Sequence, residues 1–133
     1  MFRILLTLTV FTFLAITAVH AANAECWDSG QKMDYDPLEG MINKFCDEHH
    51  DKRAKPGHPV EAKIDHPGDS KTYVKLAYEA FDTVDNKDGF RVDKAECKKV
   101  LNDIKMECTN DKKTKGGKVK MHNGWIKLDP NAK

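Results

Sequence analysis

Residues 93–108 read DKAECKKVLNDIKMEC, and this segment decides the fold of the chain. Asp93, followed three residues later by Glu96, forms a capping box with aspartate in place of the usual serine or threonine, so a helix is predicted to begin here. The apolar residues recur at helical spacing and share one face, which must be buried. That face consists of Cys97, Val100, Leu101, Ile104 and Cys108.

The two cysteines of this face determine how the helix is attached to the rest of the chain. Cys97 and Cys108 are eleven residues apart, which places their Cα atoms about 16 Å apart along a helix. A disulfide requires a separation below about 7 Å, so the two cannot bond to each other. We favour the pairs Cys46–Cys97 and Cys26–Cys108, because the two helices should run antiparallel; the crossed pairing stays open.

The first 24 residues have the layout of a secretory signal peptide. Arg3 supplies a positive charge, an uncharged apolar run covers residues 4–19, and small residues then form two cleavage-like patterns. The run is shorter than the about 20 residues of a membrane span, although a retained anchor is the alternative. We therefore expect residues 1–24 to be removed and residues 25–133 to form one secreted, extracellular domain.

The composition agrees with a small extracellular protein. Its 4 cysteines are an even number, which predicts two disulfides that add stability to a small core. Without Arg3 the 22 basic residues become 21, equal to the 21 acidic residues. This balance produces no global field that would attract nucleic acid or an anionic membrane, so we expect neither as a partner.

A second helix and several strands complete the pattern. Asp36 as N-cap and Pro37 at the first helical position predict a helix start. Apolar residues at helical spacing follow at Leu38, Met41, Ile42, Phe45 and Cys46. Alternating apolar residues predict a short edge strand over 60–64 and a longer strand over 74–80.

The dipeptide Asn123-Gly124 predicts a hairpin turn near the end of the chain. A two-residue turn there pairs His122 with Trp125, Met121 with Ile126, Lys120 with Lys127, and Val119 with Leu128. This register collects the apolar pairs on one face and the polar pairs on the other, which supports it. A single bulged strand through the same residues is the alternative.

The order of these elements predicts an α+β fold. Strand, helix, two strands, helix, and one or two strands are typical of a two-layer sandwich. We expect an antiparallel sheet of about four to five strands with two helices on one face, held by two disulfides.

Three groups of residues resemble the Y3-like family, the fungal small secreted proteins similar to the glycan-binding protein Y3. They are Cys26-Trp27-Asp28-Ser29-Gly30, then Asp93 through Cys97 to Cys108, then Gly116-Gly117 with Gly124-Trp125 and Asp129-Pro130-Asn131. The match covers both ends of the secreted part and is thin over residues 47–70. The resemblance implies an α/β sandwich, secretion by a fungus, glycan binding or an effector role, and no known enzymatic chemistry. It carries over no binding residue.

The sequence contains no recognised catalytic or metal-binding motif. An EF-hand loop aligned on Gly89 has Val84 at its first position and Ala95 at its last, and neither supplies a ligand. The adjacent His49 and His50 point about 100° apart on a helix and do not form a zinc pair. We therefore predict no enzyme, no metal and no cofactor, with a secreted hydrolase as an alternative because carboxylates are abundant.

The polar face of the tail hairpin is the candidate ligand-binding surface. Trp125 is expected there beside Lys120, Lys127 and His122, and an aromatic ring flanked by hydrogen-bonding groups is suited to sugars. Further rings would contribute if the fold brings them near: Trp27, Tyr35 and Tyr73. The alternative is that Trp125 packs against an edge or under the tail.

These observations predict a secreted, non-enzymatic protein that recognises an extracellular glycan in the manner of a lectin. An effector that binds a host protein and has no glycan activity is the first alternative. A secreted hydrolase is the second.

Overall fold

The computed structural model describes residues 23–133, so the predicted signal peptide, residues 1–24, lies outside them except for its last two residues. Two helices are present, α1 (Leu38–His49) and α2 (Lys94–Glu107). The strands are β1 (Glu25–Cys26), β2 (Met33–Asp34), β3 (Arg53–Ala54), β4 (Val60–His66), β5 (Asp69–Ala80), β6 (Phe90–Arg91), β7 (Thr109–Asn110), β8 (Lys113–Thr114), β9 (Gly117–Lys120) and β10 (Gly124–Ala132). The predicted α+β sandwich with two disulfides is confirmed.

One five-stranded antiparallel sheet, in the order β1-β9-β10-β5-β4, forms the first layer. Its longest pairing joins β10 to β5, from Gly124 opposite Ala80 to Ala132 opposite Thr72. The predicted edge strand is β4, which pairs with β5 alone. Two smaller ribbons, β2-β8-β7 and β3-β6, hold the connecting segments.

Both helices cover the same face of this sheet. Alternate residues of the strands point toward the helices, and the largest of them is Tyr78, which is fully buried against Phe45 of α1. Burial, with a smaller contribution from the charge of Glu96, raises the pKa of the Tyr78 hydroxyl. The sheet side of the core consists of Val74, Leu76, Tyr78, Ala80, Val119, Ile126 and Leu128.

The two disulfides have the favoured connectivity, so the crossed pairing is excluded. Cys46–Cys97 joins α1 to α2 inside the core, with a Cα–Cα distance of 5.7 Å. Cys26–Cys108 joins β1 to the C-cap of α2 across 5.3 Å. Helix α2 is therefore covalently attached near both of its ends.

One of the two predicted helix caps is confirmed. Asp93 caps α2, since its carboxylate accepts a 2.8 Å hydrogen bond from the Glu96 N–H. The prediction for Asp36 is wrong: the cap residue of α1 is Pro37, and no side chain caps that helix. The chain enters α1 through a turn in which the Tyr35 carbonyl accepts from the Leu38 N–H at 3.2 Å, which moves the helix start one residue along.

The tail forms a hairpin, but the predicted register is wrong by two residues. Trp125 lies opposite Lys120, not His122, and Lys127 lies opposite Lys118. The turn consists of His122 and Asn123, closed by a 2.8 Å bond from the Met121 N–H to the Gly124 carbonyl. Because the shift is an even number, the side chains that lie in β9 and β10 keep their predicted faces.

Gly124 occupies the strand because of a close contact with a distant part of the chain. A Cβ at this position would lie 2.3 Å from the Glu79 carbonyl oxygen and 2.3 Å from the Phe90 ring. The neighbouring Asn123 carbonyl accepts hydrogen bonds from the Phe81 N–H and from the Asn86 amide. These contacts fix the turn one residue earlier than the dipeptide signal alone predicts.

Alanine substitution at two glycines should therefore shift stability in opposite directions. Gly124→Ala should lower the free energy of unfolding by about 1–3 kcal/mol, because the methyl group overpacks the contact. Gly40→Ala should raise it by about 0.5–1 kcal/mol, because Gly40 is exposed in the first turn of α1 and no atom lies within 4 Å of the added Cβ. Urea unfolding of the oxidised protein measures both, and a stable Gly124→Ala variant would contradict the described packing.

Acid should weaken the link between the two helices. Hydrogen bonds from Lys94 and Lys98 to Asp47, at 2.8 and 3.0 Å, hold the pKa of its carboxyl below the usual 3.8. The ionised Asp47 carboxylate therefore contributes its full stabilisation at pH values above the unfolded pKa of 3.8. This stabilisation is lost as the pH falls through the lower pKa of the folded protein. Asp47→Asn should destabilise the protein at neutral pH and flatten the loss of stability between about pH 5 and pH 2.

The matched control for this experiment is Asp36→Asn. Asp36 is exposed and forms no ion pair with any residue between 23 and 133. The Asp36→Asn substitution should leave the free energy of unfolding at neutral pH unchanged, and the dependence of that free energy on acid should match the wild type. Equal behaviour of the two variants would show that the Asp47 pairs contribute nothing.

Candidate functional site

The face of the large sheet opposite the helices carries polar and aromatic side chains, and we call it the open face. Odd-numbered residues of β5 and β10 point there, since neighbouring residues of a strand face opposite ways. Glu79 lies opposite Trp125, Ala77 opposite Lys127 and Lys75 opposite Asp129. The open face thus brings an aromatic ring together with several groups that can hydrogen-bond to a ligand.

Trp125 is half-buried on this face between a lysine and a second aromatic ring. Lys118 places its Nζ 3.9 Å from the centre of the Trp125 ring, a cation–π contact. The Phe81 ring meets Trp125 edge-on, with 5.7 Å between ring centres. Lys120 faces Trp125 from β9, and its Nζ lies 5.7 Å from the centre of the Phe81 ring.

Trp27 contacts the same lysine. Its ring centre lies 5.7 Å from the Lys118 Nζ, and its indole N–H donates to the Leu128 carbonyl at 3.3 Å. Trp27, Lys118, Trp125, Phe81 and Lys120 therefore form a continuous series of contacts, which we call the aromatic–lysine row.

The Gly116-Gly117 pair allows β1 to approach closely enough to build this row. A Cβ on Gly117 would lie 2.6 Å from the Glu25 carbonyl oxygen and 2.9 Å from the Cys108 sulfur. The Trp27 N–H donates to the Gly116 carbonyl at 3.1 Å. The Cys26–Cys108 disulfide therefore holds β1 against β9 and positions the Trp27 ring beside Lys118.

A cleft of about 280 Å³ lies next to the row, and we call it the Ala77 cleft. Its lining residues are Trp27, Glu61, Lys75, Ala77, Glu79, Lys127 and Asp129. Ion pairs fix four of the charged groups: Lys75 with Glu61 at 2.7 Å, and Lys127 with Glu79. The hydrogen bond that Lys75 donates to Glu61 raises the pKa of Lys75. Burial opposes this increase, and the charges of Glu61, Asp129 and Glu79 add smaller increases.

A second cleft, of about 290 Å³, borders Trp125 itself, and we call it the Trp125 cleft. It is lined by Lys55, Gly57, Pro59, Glu79, Ala80, Phe81, Asp82 and Trp125. Glu79 lines both clefts, so they adjoin on the open face. Together they offer two aromatic walls and fixed donors and acceptors in a small area.

The structure brings only part of the predicted site together. Lys120 and Lys127 share the open face with Trp125, but His122 lies in the turn. Tyr73 is on the same face but six residues from Glu79 along β5, or about 20 Å, where it contacts Lys63. Tyr35 lies on the helix side of the molecule, where its ring contacts Lys105.

The groups considered for metal binding are engaged in other contacts. The His49 ring stacks on Phe45 with 4.8 Å between centres, and His50 pairs with Asp51. In the part of the chain that the structure describes, no cluster of three or more histidine, cysteine or acidic residues is placed to hold a metal ion. Neither helix there has the length and apolar character needed to cross a membrane.

Comparison of the sequence with models of known protein families gives no match, and comparison with curated proteins gives none. The fold and site define the chain as a small, doubly disulfide-bonded α+β protein whose large sheet has one face that the helices do not cover. The resemblance to the Y3-like family remains a prediction based on the three motifs.

Removal of Lys118 should disrupt the aromatic–lysine row. Lys118→Ala should lower the free energy of unfolding by about 1–2 kcal/mol, because two cation–π contacts and an exposed 3.3 Å ion pair with Glu25 are lost. Lys118→Arg should restore most of this difference, since a guanidinium also binds aromatic faces. Lys113→Ala is the control: it removes an exposed 3.7 Å pair with Asp34 and should cost less than about 0.5 kcal/mol. A Lys118→Ala variant as stable as the Lys113→Ala control would contradict the claim that the contacts of Lys118 in the aromatic–lysine row stabilise the protein.

Proposed function

We propose that the protein is secreted and binds an extracellular glycan through the open face, without catalysing a reaction. The observation that supports this most directly is the placement of Trp27 and Trp125 beside two adjoining clefts with charged linings. Sugar rings present C–H faces that stack on indoles and hydroxyl groups that bond to carboxylates and ammonium groups.

The groups lining the clefts are held in place before a ligand arrives. Lys75 is tied to Glu61 and Lys127 to Glu79, so these side chains lose little additional freedom when a ligand binds. Each cleft lies near the lower limit of about 300 Å³ for small-molecule sites. Two small adjoining clefts suit a ligand made of a few sugar units, with one unit in each cleft, better than they suit one bulky rigid ligand.

The exposed surface supports a glycan more than a protein partner. Among residues 23–133, the large apolar side chains that are strongly exposed are Val84 and Met106. They belong to different elements, a short 3₁₀ turn at Val84–Asn86 and helix α2. Protein interfaces instead have a contiguous core enriched in apolar and aromatic residues. The alternative of an effector that binds a host protein therefore has less support.

Binding without catalysis is also favoured over hydrolysis. A glycosidase places one carboxyl group as a proton donor and another as nucleophile or base. In the Ala77 cleft, Glu61 and Glu79 are each engaged with a lysine. Export is supported by the two formed disulfides, which persist in oxidising compartments.

A glycan array with the oxidised protein tests the proposal. We expect the wild type to bind a defined set of glycans and Trp125→Ala to weaken that binding by about tenfold or more, equivalent to about 1.4 kcal/mol. Ala77→Leu should act similarly, because Ala77 lines the Ala77 cleft and a larger side chain would fill it.

The matched control is Tyr73→Ala, which removes an aromatic ring from the same face outside the row. It should bind as the wild type does. A wild type that binds no glycan, or Trp125→Ala and Ala77→Leu variants that bind normally, would refute the proposal. Capture of one host protein by the wild type, with no binding on the glycan array, would favour the effector alternative. Turnover of glycoside substrates would favour the hydrolase alternative.

A further inference from the structure

A third cleft, of about 470 Å³, continues from the Trp125 cleft, and we call it the basic cleft. Its lining residues are Lys55, Pro56, His58, Asp82, Thr83, Val84 and Lys87. Lys55 and Asp82 line the Trp125 cleft as well, so the two clefts share a boundary. A ligand stacked on Trp125 would therefore extend toward the basic cleft.

A tight turn builds one wall of the basic cleft. Lys55 and His58 exchange backbone hydrogen bonds of 3.1 and 2.8 Å around Pro56-Gly57, and Gly57 has a φ of 73°. Proline followed by a glycine with positive φ is the arrangement of a type II turn. Because Lys55 and His58 are directly opposed, their side chains leave the turn side by side.

The second wall is the segment 82–87, and it is fastened to the first. Buried Asn86 donates to the carbonyls of Phe81 and Asn123 at 2.9 and 2.8 Å. A Cβ on Gly89 would lie 1.7 Å from the Ala54 carbonyl oxygen, so this loop packs tightly against the residue before Lys55. The width of the cleft is therefore set by the fold.

The charge of the basic cleft differs from that of the Ala77 cleft. Lys55 and Lys87 are exposed and form no ion pair with any residue that the structure describes, and His58 lies beside them. Asp82 is the one carboxylate in the lining. In the Ala77 cleft, by contrast, both lysines are paired with glutamates. Two unpaired ammonium groups facing one cleft favour an anion.

We propose that the basic cleft is an anion subsite, and that the ligand of the open face is an acidic glycan. One sugar unit stacks on Trp125. A sulfate or carboxylate group on the next sugar unit of the glycan is held by Lys55 and Lys87. This inference rests on the proposed glycan binding, and it adds the chemical class of the ligand.

Calorimetry with matched pairs of oligosaccharides tests the inference. A sulfated heparin-type tetrasaccharide is compared with its desulfated form, and sialyllactose with lactose, so that sulfate and carboxylate are distinguished. At low salt we expect at least one acidic member to bind about tenfold or more tightly than its partner, and this preference should weaken as salt rises.

Three variants separate the contributions. The double substitution Lys55→Ala/Lys87→Ala should reduce binding of the acidic member to the level of its neutral partner. Lys44→Ala, which removes an exposed lysine of α1 outside the clefts, should leave binding unchanged. Trp125→Ala should weaken both members of a pair. All three lysines are exposed, so circular dichroism should show an unchanged fold.

The possible failures are distinguishable. Equal affinity for acidic and neutral partners, or an unaffected double variant, would overturn the anion subsite and leave glycan binding intact. Binding of the acidic member that needs Lys55 and Lys87 but neither Trp125 nor Ala77 would support the anion subsite and overturn the proposed site on the open face. Failure to bind any of the four oligosaccharides would overturn the assignment of an acidic-glycan ligand.

Discussion

The covalent attachment of α2 at both ends is the constraint on which the rest of the structure depends. Cys97 binds it to α1 in the core, and Cys108 binds it to β1 at the edge of the sheet. The same Cys108 linkage holds β1 against Gly117 and so carries Trp27 to the open face. The stability of the helical layer and the aromatic wall of the Ala77 cleft thus have a common origin.

Much of the fold could be predicted from local patterns. Helical spacing located α2, the strand alternation located β4 and β5, and the length of the helix limited the disulfide pairing. The hairpin register could not be predicted, because it depends on Phe90 and Glu79 meeting Gly124 from other parts of the chain. A turn signal of two residues contains no information about such contacts.

The candidate site shows the same division. The alternation of apolar and polar residues predicted that Trp125, Lys120 and Lys127 share one face of the sheet. The observed register differs, but the three side chains still share that face. Lys118 and Phe81 were not recognised, because their contacts with Trp125 arise from the true register and from the end of β5. The Gly116-Gly117 pair is a local signal of close strand approach, and the structure explains it by the disulfide sulfur of Cys108 and the backbone of β1 beside Gly117.

The positions of the four cysteines have a consequence for the durability of the molecule. Each bridge connects a residue at or before position 46 to one at or after position 97. Every peptide bond between residues 46 and 97, a segment that includes β4 and β5, therefore lies inside the loops closed by both disulfides. A single nick by a protease anywhere in that segment would leave one covalent molecule, with the severed halves still joined by both disulfides.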